Sequence, residues 1–202
     1  PYLGAMTDAL PLPLPVRSSE LESRLRMRRS APAQALEAPG PSEAELSRIL
    51  EIGARTPDHG KLAPWRFVVM GPQSRTRLAA QLAALAEQKG LPPKAQAVLA
   101  KLTAAPLTVL VISSPTPNDK VPVWEQELSA GAVCMNLEHA AGAFGYSASW
   151  ITDWYSFDPD ATALFGVRAG ERIAGFIHLG TLAQPPLERP RPDLSAIVTR
   201  LA

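Results

Sequence analysis

The sequence predicts an α+β fold: a small mixed, mainly antiparallel sheet packed among helices. Three observations carry this. Apolar strand patterns such as WRFVVM (Trp65–Met70) and PLTVLVIS (Pro106–Ser113) are separated from the next strand by helical patterns. The segment VPVWEQELSAGAVCMNLEHAAGAFG (Val121–Gly145) is long, rich in Ala and Gly, and apolar around most of its circumference past Leu128. Such a helix is central, with small residues that admit close neighbours. Finally, no internal repeat and no compositional boundary divides the 202 residues, a length at which one domain buries a sizeable core. The expected division is an N-terminal arm over residues 1–17 and one domain over residues 18–202 that ends in an extended tail.

The elements follow in order. PYLGAM at the start has the look of vector-derived residues, with Met6 the native start. ALPLPLPVR is punctuated by proline, lacks a helical period and reads as an extended arm. In SSELESRLRMRRS, Ser19 and Glu22 read as a capping box and Leu21 and Leu25 share a face, so a short helix ending near Arg28 is expected. APAQALEAPGP reads as loop. Ser42 and Glu45 form a second capping box, and Leu46, Ile49, Leu50 and Gly53 trace one apolar face of a helix that Pro57 ends. WRFVVM follows as a strand, and Pro72–Gly90 is a helix with Gly90 at its stop. PPKAQAVLAKLTAA is expected as one further helix, opened by prolines where an N–H is dispensable. PLTVLVIS is nearly all apolar and reads as a strand buried on both faces. After the central helix come a short strand in YSASWIT, a short capped helix in DPDATALFG and a strong strand in RIAGFIHLGT. The end, LAQPPLERPRPDLSAIVTRLA, is a Pro-rich extended tail with a short apolar finish.

Composition excludes several classes. Twenty basic against 19 acidic residues leave a net charge of +1, so there is no general electrostatic case for nucleic acid or an anionic membrane. A single cysteine, Cys134, rules out an intrachain disulfide framework and a cysteine-based zinc site, and suggests a reduced, cytoplasmic setting. Cys134 lies mid-helix among apolar neighbours and is expected to be a buried inert thiol. The three histidines are far apart and show no ligand spacing, so no metal site is expected. His178 alternates with apolar residues in a strand, and His139 fits either face of its helix. Trp124, Trp150 and Trp154 read as core or interface aromatics, and any of them could also border a planar ligand. No G-x-G-x-x-G follows a strand, and neither a P-loop nor a G-x-S-x-G elbow occurs.

Three polar clusters adjoin apolar elements. RMRRS (Arg26–Ser30) offers guanidiniums and a hydroxyl suited to a phosphate; it equally suits a solvated helix C-terminus that favours cations. ARTPDHGKLAPW places Arg55, Asp58, His59 and Lys61 on a turn stiffened by Pro57 and Pro64. There the plain reading is a turn in which Asp58 caps local N–H groups and His59 and Lys61 are solvated. LERPRPD carries Arg189 and Arg191 on the tail, either solvated or docked.

The order of motifs is more specific than any one of them. RRS after a first short helix is followed by AR-x-P…PW-x-F-V-V, then a long Ala/Gly helix, then G-x-x-x-x-W, then I-x-G-F-x-x-L-G-T. From about Arg24 to Thr181 this order closely resembles the flavin-dependent nitroreductase family. RTPDH with APW, and KVPVWEQELSAG, look like its short single-domain branch. The resemblance implies a homodimer with two FMN sites at the subunit interface. It maps flavin contacts onto Arg28, Arg29 and Ser30, onto Arg55 and His59 reaching across from the partner, and onto Trp150, Ile151 and Thr152. It maps Ala140, Ala141, Gly142, Ala143, Phe144 and Gly145 onto the stretch that meets the nicotinamide dinucleotide; close helix packing explains that stretch equally well. A C-terminal cation for the phosphate maps onto Arg189 or Arg191. Two departures stand out. Pro32 and Ala33 occupy places where many relatives carry a cation, and PDHGKLAPW replaces the Ser and Asn pattern of the main family.

The implied chemistry is a ping-pong cycle in which NADH or NADPH reduces bound FMN, which then reduces an electron-poor acceptor such as a nitroaromatic or quinone. Arg28 and Ser30 are expected at the phosphate. Arg29 or Arg55 is expected beside the N1/C2 carbonyl side of the ring, where reduction places negative charge. No acid/base dyad is legible, and solvent protons suffice. Flavin fragmentation, dehalogenation or dehydrogenation on the same fold, a non-enzymatic flavin or haem carrier, and a plain dimeric interaction module remain alternatives.

Overall fold

The computed structural model describes residues 11–201. The expectation about PYLGAM lies outside the described residues. The centre is a four-stranded sheet of β1 (Trp65–Met70), β2 (Leu107–Ser113), β3 (Ser147–Ile151) and β4 (Arg172–Gly180), in the order β1-β2-β4-β3. It was expected as mixed and mainly antiparallel; each of its three pairings is antiparallel. Both inner strands are nearly continuous apolar runs because both faces of the sheet are covered.

The two faces follow from strand alternation. Leu110 and Ile112 of β2 and Phe176 of β4 point to one side. They pack there against α3 (Pro72–Gln88), the Val98–Leu99 link between α4 (Pro93–Ala97) and α5 (Ala100–Ala104), α5 itself and α7 (Pro159–Leu164). Val109, Val111, Ile177 and Leu179 point to the other, against α2 (Glu43–Gly53) and α6 (Val123–Ala143). The long helix α6 lies along the sheet with Val133, Cys134, Leu137 and Ala141 fully buried, as its small residues predict.

Local chemistry accounts for most boundaries. Ser42 and Glu45 form the predicted capping box of α2. Gly90, with φ of +61°, follows the end of α3 in a left-handed conformation. Asp158 caps α7 through the Asp160 and Ala161 amides.

Three expectations need correction. The cap of α1 (Ser19–Arg26) is Ser18, which accepts from the Leu21 amide; Ser19 is already helical, and the box with Glu22 does not form. The helix expected over PPKAQAVLAKLTAA is two short ones, α4 and α5, parted at Val98 and Leu99. Burial of Val98, Leu99 and Leu102 overrides the local preference for one continuous helix. The loop after RRS carries a 3-10 turn at Ala33–Ala35, and Glu37 pairs with Thr181, lacing it to the end of β4. The tail closes on a short helix, α8 (Leu194–Ile197).

No helix among the described residues is long and apolar enough to cross a membrane.

Candidate functional site

The chain leaving α1 runs along an open sheet edge. β3 is an edge strand, and the Ala31 amide donates to the Ala148 carbonyl at 2.8 Å. That carbonyl points off the outer edge, so by strand alternation the backbone of Trp150 does as well. Their side chains are spent elsewhere. Trp150 packs with the α2/α6 core and donates its indole N–H to the Ala174 carbonyl at 3.0 Å. Ala174 is free to accept because β4 bulges there, the register slipping between Val111 and Ile112. Ile151 packs on the opposite face, and Thr152 is exposed. The segment Trp150–Thr152 can therefore meet a ligand chiefly through its backbone and the Thr152 hydroxyl.

Arg28, Arg29 and Ser30 lie beside this edge. Arg28 Nη1 is 3.3 Å from Ser30 Oγ and 3.8 Å from Glu138 Oε2. Arg29 Nε donates to the Leu187 carbonyl at 2.8 Å and lies 3.8 Å from Glu188. Arg191 donates from Nη2 to the Arg28 carbonyl at 3.0 Å and to Glu188 at 2.9 Å. The tail thus lies across RRS, and Arg191 is the tail cation held against Arg28. Arg189 donates its backbone amide to Glu188 Oε1 at 2.7 Å.

These residues frame a cavity of about 290 Å³, lined by Arg24, Arg28, Arg29, Glu138, His139, Gly142, Ala143 and Tyr146, with Leu21, Leu25 and Met27 of the α1 segment. A hollow of about 530 Å³ adjoins it through Arg29, lined by Ser30, Pro32, Ala35 and the tail from Leu182 to Glu188. Of the stretch Ala140–Gly145, only Gly142 and Ala143 line the cavity. Ala140 and Ala141 are buried in the core, Phe144 packs against that core with the Arg48 guanidinium 4.8 Å over its ring, and Gly145 turns the chain at φ +85°.

Glu138 is the residue that sequence reading missed here. Its side chain is 5% exposed and its Oε1 has no partner. Burial raises its pKa, against the pull of Arg28 and of the Trp150 backbone amide directed at its carboxyl. His139 beside it is pushed down, first by burial and then by Arg28. A guanidinium pair, a hydroxyl and a buried acid with a free oxygen suit a phosphorylated polyhydroxyl group: cations for the dianion and an acid for a hydroxyl. The donor set fits the ribityl phosphate of a flavin mononucleotide.

The PDHGKLAPW turn forms the second cluster. Asp58 accepts from the Leu62 and Ala63 amides at 2.9 Å each, the local cap expected of it. Gly60, Lys61 and Ala63 all have left-handed φ, of 82°, 56° and 45°. Two non-glycine residues so placed mark a strained turn held by its surroundings. Ser129 Oγ of α6 donates to the Pro57 carbonyl at 2.9 Å, and Asn136 Nδ2 donates to Thr56 Oγ1 at 2.6 Å. His59 Nδ1 lies 2.8 Å from Glu125 Oε2. An open hollow of about 560 Å³ is lined by Pro57, Asp58, His59, Glu125, Leu128, Ser129 and Ala132. Arg55 is exposed at the end of α2.

Within one chain the two clusters do not meet. Glu125 and Gly142 sit 17 residues apart on α6, roughly 25 Å at the helical rise. The sequence therefore names both clusters, while the chain alone assembles only the first, with the tail.

The architecture is that of an α+β protein with an antiparallel sheet, an open edge and an anion-suited cavity beside it. A family model described as the nitroreductase family matches residues 25–181. A curated relative named "Putative NAD(P)H nitroreductase YdjA", from Escherichia coli strain K12, is 38% identical over 154 residues, 74% of this chain and 82% of its own length. Among solved structures, a nitroreductase-like family protein from Bacillus cereus superposes with a TM-score of 0.78 at 18% identity, covering 94% of this chain and 99% of that one. A "putative nitroreductase in complex with fmn" from Desulfovibrio desulfuricans gives 0.71 at 20% identity over 92% and 99%. The chain belongs to the nitroreductase family.

Proposed function

We propose that the protein is an FMN-dependent oxidoreductase that takes reducing equivalents from NADH or NADPH and passes them to an electron-poor acceptor such as a nitroaromatic or quinone. The observation that carries this reading is the cavity beside the β3 edge, lined by Arg28, Arg29 and Glu138, with Ser30 of the adjoining hollow 3.3 Å from Arg28 Nη1. Its donor set matches the polar half of FMN. The family membership and the NAD(P)H nitroreductase name of the E. coli relative support the electron donor.

When bound, FMN supplies the two-electron chemistry. The chain supplies the rest. Arg28 and Ser30 hold the phosphate, with Arg191 locking the Arg28 backbone in place. Outward backbone groups of β3 hold the ring edge. Arg55 and His59 reach the ring from the partner subunit of a homodimer. Exposed Leu21, Leu25 and Met27 on the α1 segment, and Trp124 and Leu128 on α6, offer the apolar surface such a dimer would cover.

The visible spectrum of the purified protein tests this directly. A yellow protein, or one that becomes yellow with added FMN, is expected, and anaerobic NADH or NADPH should bleach it. A protein that takes up no FMN, or whose FMN neither nicotinamide bleaches, refutes the reading. A mass of one subunit in solution refutes the shared site.

A further inference from the structure

The pair His59 and Glu125 stands apart from the phosphate cradle and has a chemistry of its own. Glu125 belongs to α6 and His59 to the strained turn before β1, 66 residues away, and they meet at 2.8 Å. A carboxylate only accepts, so the short contact fixes the proton on His59 Nδ1. Nε2 is left as the working nitrogen, on a side chain 61% exposed. The turn is built to hold this geometry: Asp58 is spent on the Leu62 and Ala63 amides, and Ser129 ties the Pro57 carbonyl to α6 one turn beyond Glu125. A base oriented by a carboxylate on one nitrogen, on an exposed side chain that lines an open hollow, is an arrangement for moving protons.

We propose that His59 is the proton donor to the acceptor and that Glu125 is its positioning residue. This rests on the reading that His59 borders the flavin of the partner subunit. Reduction of a quinone to a hydroquinone consumes a hydride, supplied by flavin that NAD(P)H has reduced, and one proton. The bond from His59 Nε2 to its proton breaks and a bond to the quinone oxygen forms. The imidazole is left neutral with Nδ1–H still on Glu125, and solvent returns a proton to Nε2 through the open side of the hollow. Glu125 acts by fixing the tautomer and the orientation of the ring.

The test has two readouts. In flavin-free, 15N-labelled protein at alkaline pH, long-range 1H–15N correlation should find His59 in the Nδ1–H form, and Glu125→Ala should shift it to the Nε2–H form. In flavin-loaded protein, bleaching by NADH or NADPH should proceed at the wild-type rate in Glu125→Ala. Reoxidation by benzoquinone should slow by ~10²-fold, the usual reach of a general acid. Glu125→Asp, which keeps the carboxylate, should recover part of that loss. A wild-type His59 in the Nε2–H form overturns the proposal, as does an unchanged reoxidation rate in Glu125→Ala. If nicotinamide fails to bleach the wild-type flavin, the oxidoreductase reading falls and the proton role with it. Normal bleaching with unaltered reoxidation removes the dyad alone.

Discussion

Arg191 Nη2 donates to the Arg28 carbonyl at 3.0 Å, a contact that spans 163 residues of sequence. It closes the tail over RRS and separates two arginines that the sequence leaves equivalent. A charged hydrogen bond is worth about 1.5–3 kcal/mol, and 1.4 kcal/mol is tenfold in affinity. Arg191→Ala should therefore weaken FMN binding about tenfold in a fluorescence-quenching titration, whereas Arg189→Ala should leave it within about twofold. Equal losses would mean that the tail acts only by its bulk charge.

Arg55 and His59 are exposed in the chain, so their loss should not harm the fold. The double substitution Arg55→Ala with His59→Ala should cost at least about tenfold in FMN affinity. The flavin-free protein should keep its stability within about 0.5 kcal/mol, as for surface sites. Wild-type affinity in the double variant would remove both residues from the flavin site.

Trp150 and Gly175 are packed in contact. A Cβ added at Gly175 would run into the Trp150 indole, which is held by the Ala174 carbonyl beside it. Gly175→Ala should displace the indole and cost about 1–3 kcal/mol, as overpacking does. Denaturant unfolding followed by tryptophan fluorescence reads both effects. The shifted β3 edge should also bind FMN less tightly; an unmoved indole signal at full stability would contradict the packing.

Arg66 of β1 grips Glu171 in a two-pronged pair, Nε to Oε1 at 2.8 Å and Nη2 to Oε2 at 2.7 Å. The Ser114 hydroxyl and the Arg168 amide add further donors. The guanidinium above all holds the Glu171 carboxyl down at about 2, from an ordinary 4.5. A depressed folded value means that the stabilisation is complete above the unfolded value. It is lost as pH falls from about 4.5 towards 2. The pair should contribute about 2 kcal/mol after screening at its partly exposed arginine. Glu171→Gln should lower stability at neutral pH and flatten the acid limb of the stability curve; an unchanged limb would show that the pair is present in the unfolded chain as well.

The sequence carried the elements that local rules decide. The α2 capping box, the Gly90 stop, the buried strand Leu107–Ser113 and the small-residue helix α6 were all readable, because caps, turns and periodicity act within a few residues. Local rules failed at Val98 and Leu99, where core burial splits a helix that propensity favours, and at Ser19, where the neighbouring Ser18 takes the cap.

By itself the sequence determined the α+β class and the order of motifs, and it offered the RRS and RTPDH segments as candidate site segments. Tertiary structure alone decided which side chains these segments work with. Nothing near Arg28 in sequence predicts Glu138 or tells Arg191 from Arg189, and nothing near His59 predicts Glu125. Those partners lie 66 to 163 residues away. Hydrogen bonds and ion pairs act over a few ångströms of space regardless of chain separation, so only the packing of α1, α6 and the tail could bring them together.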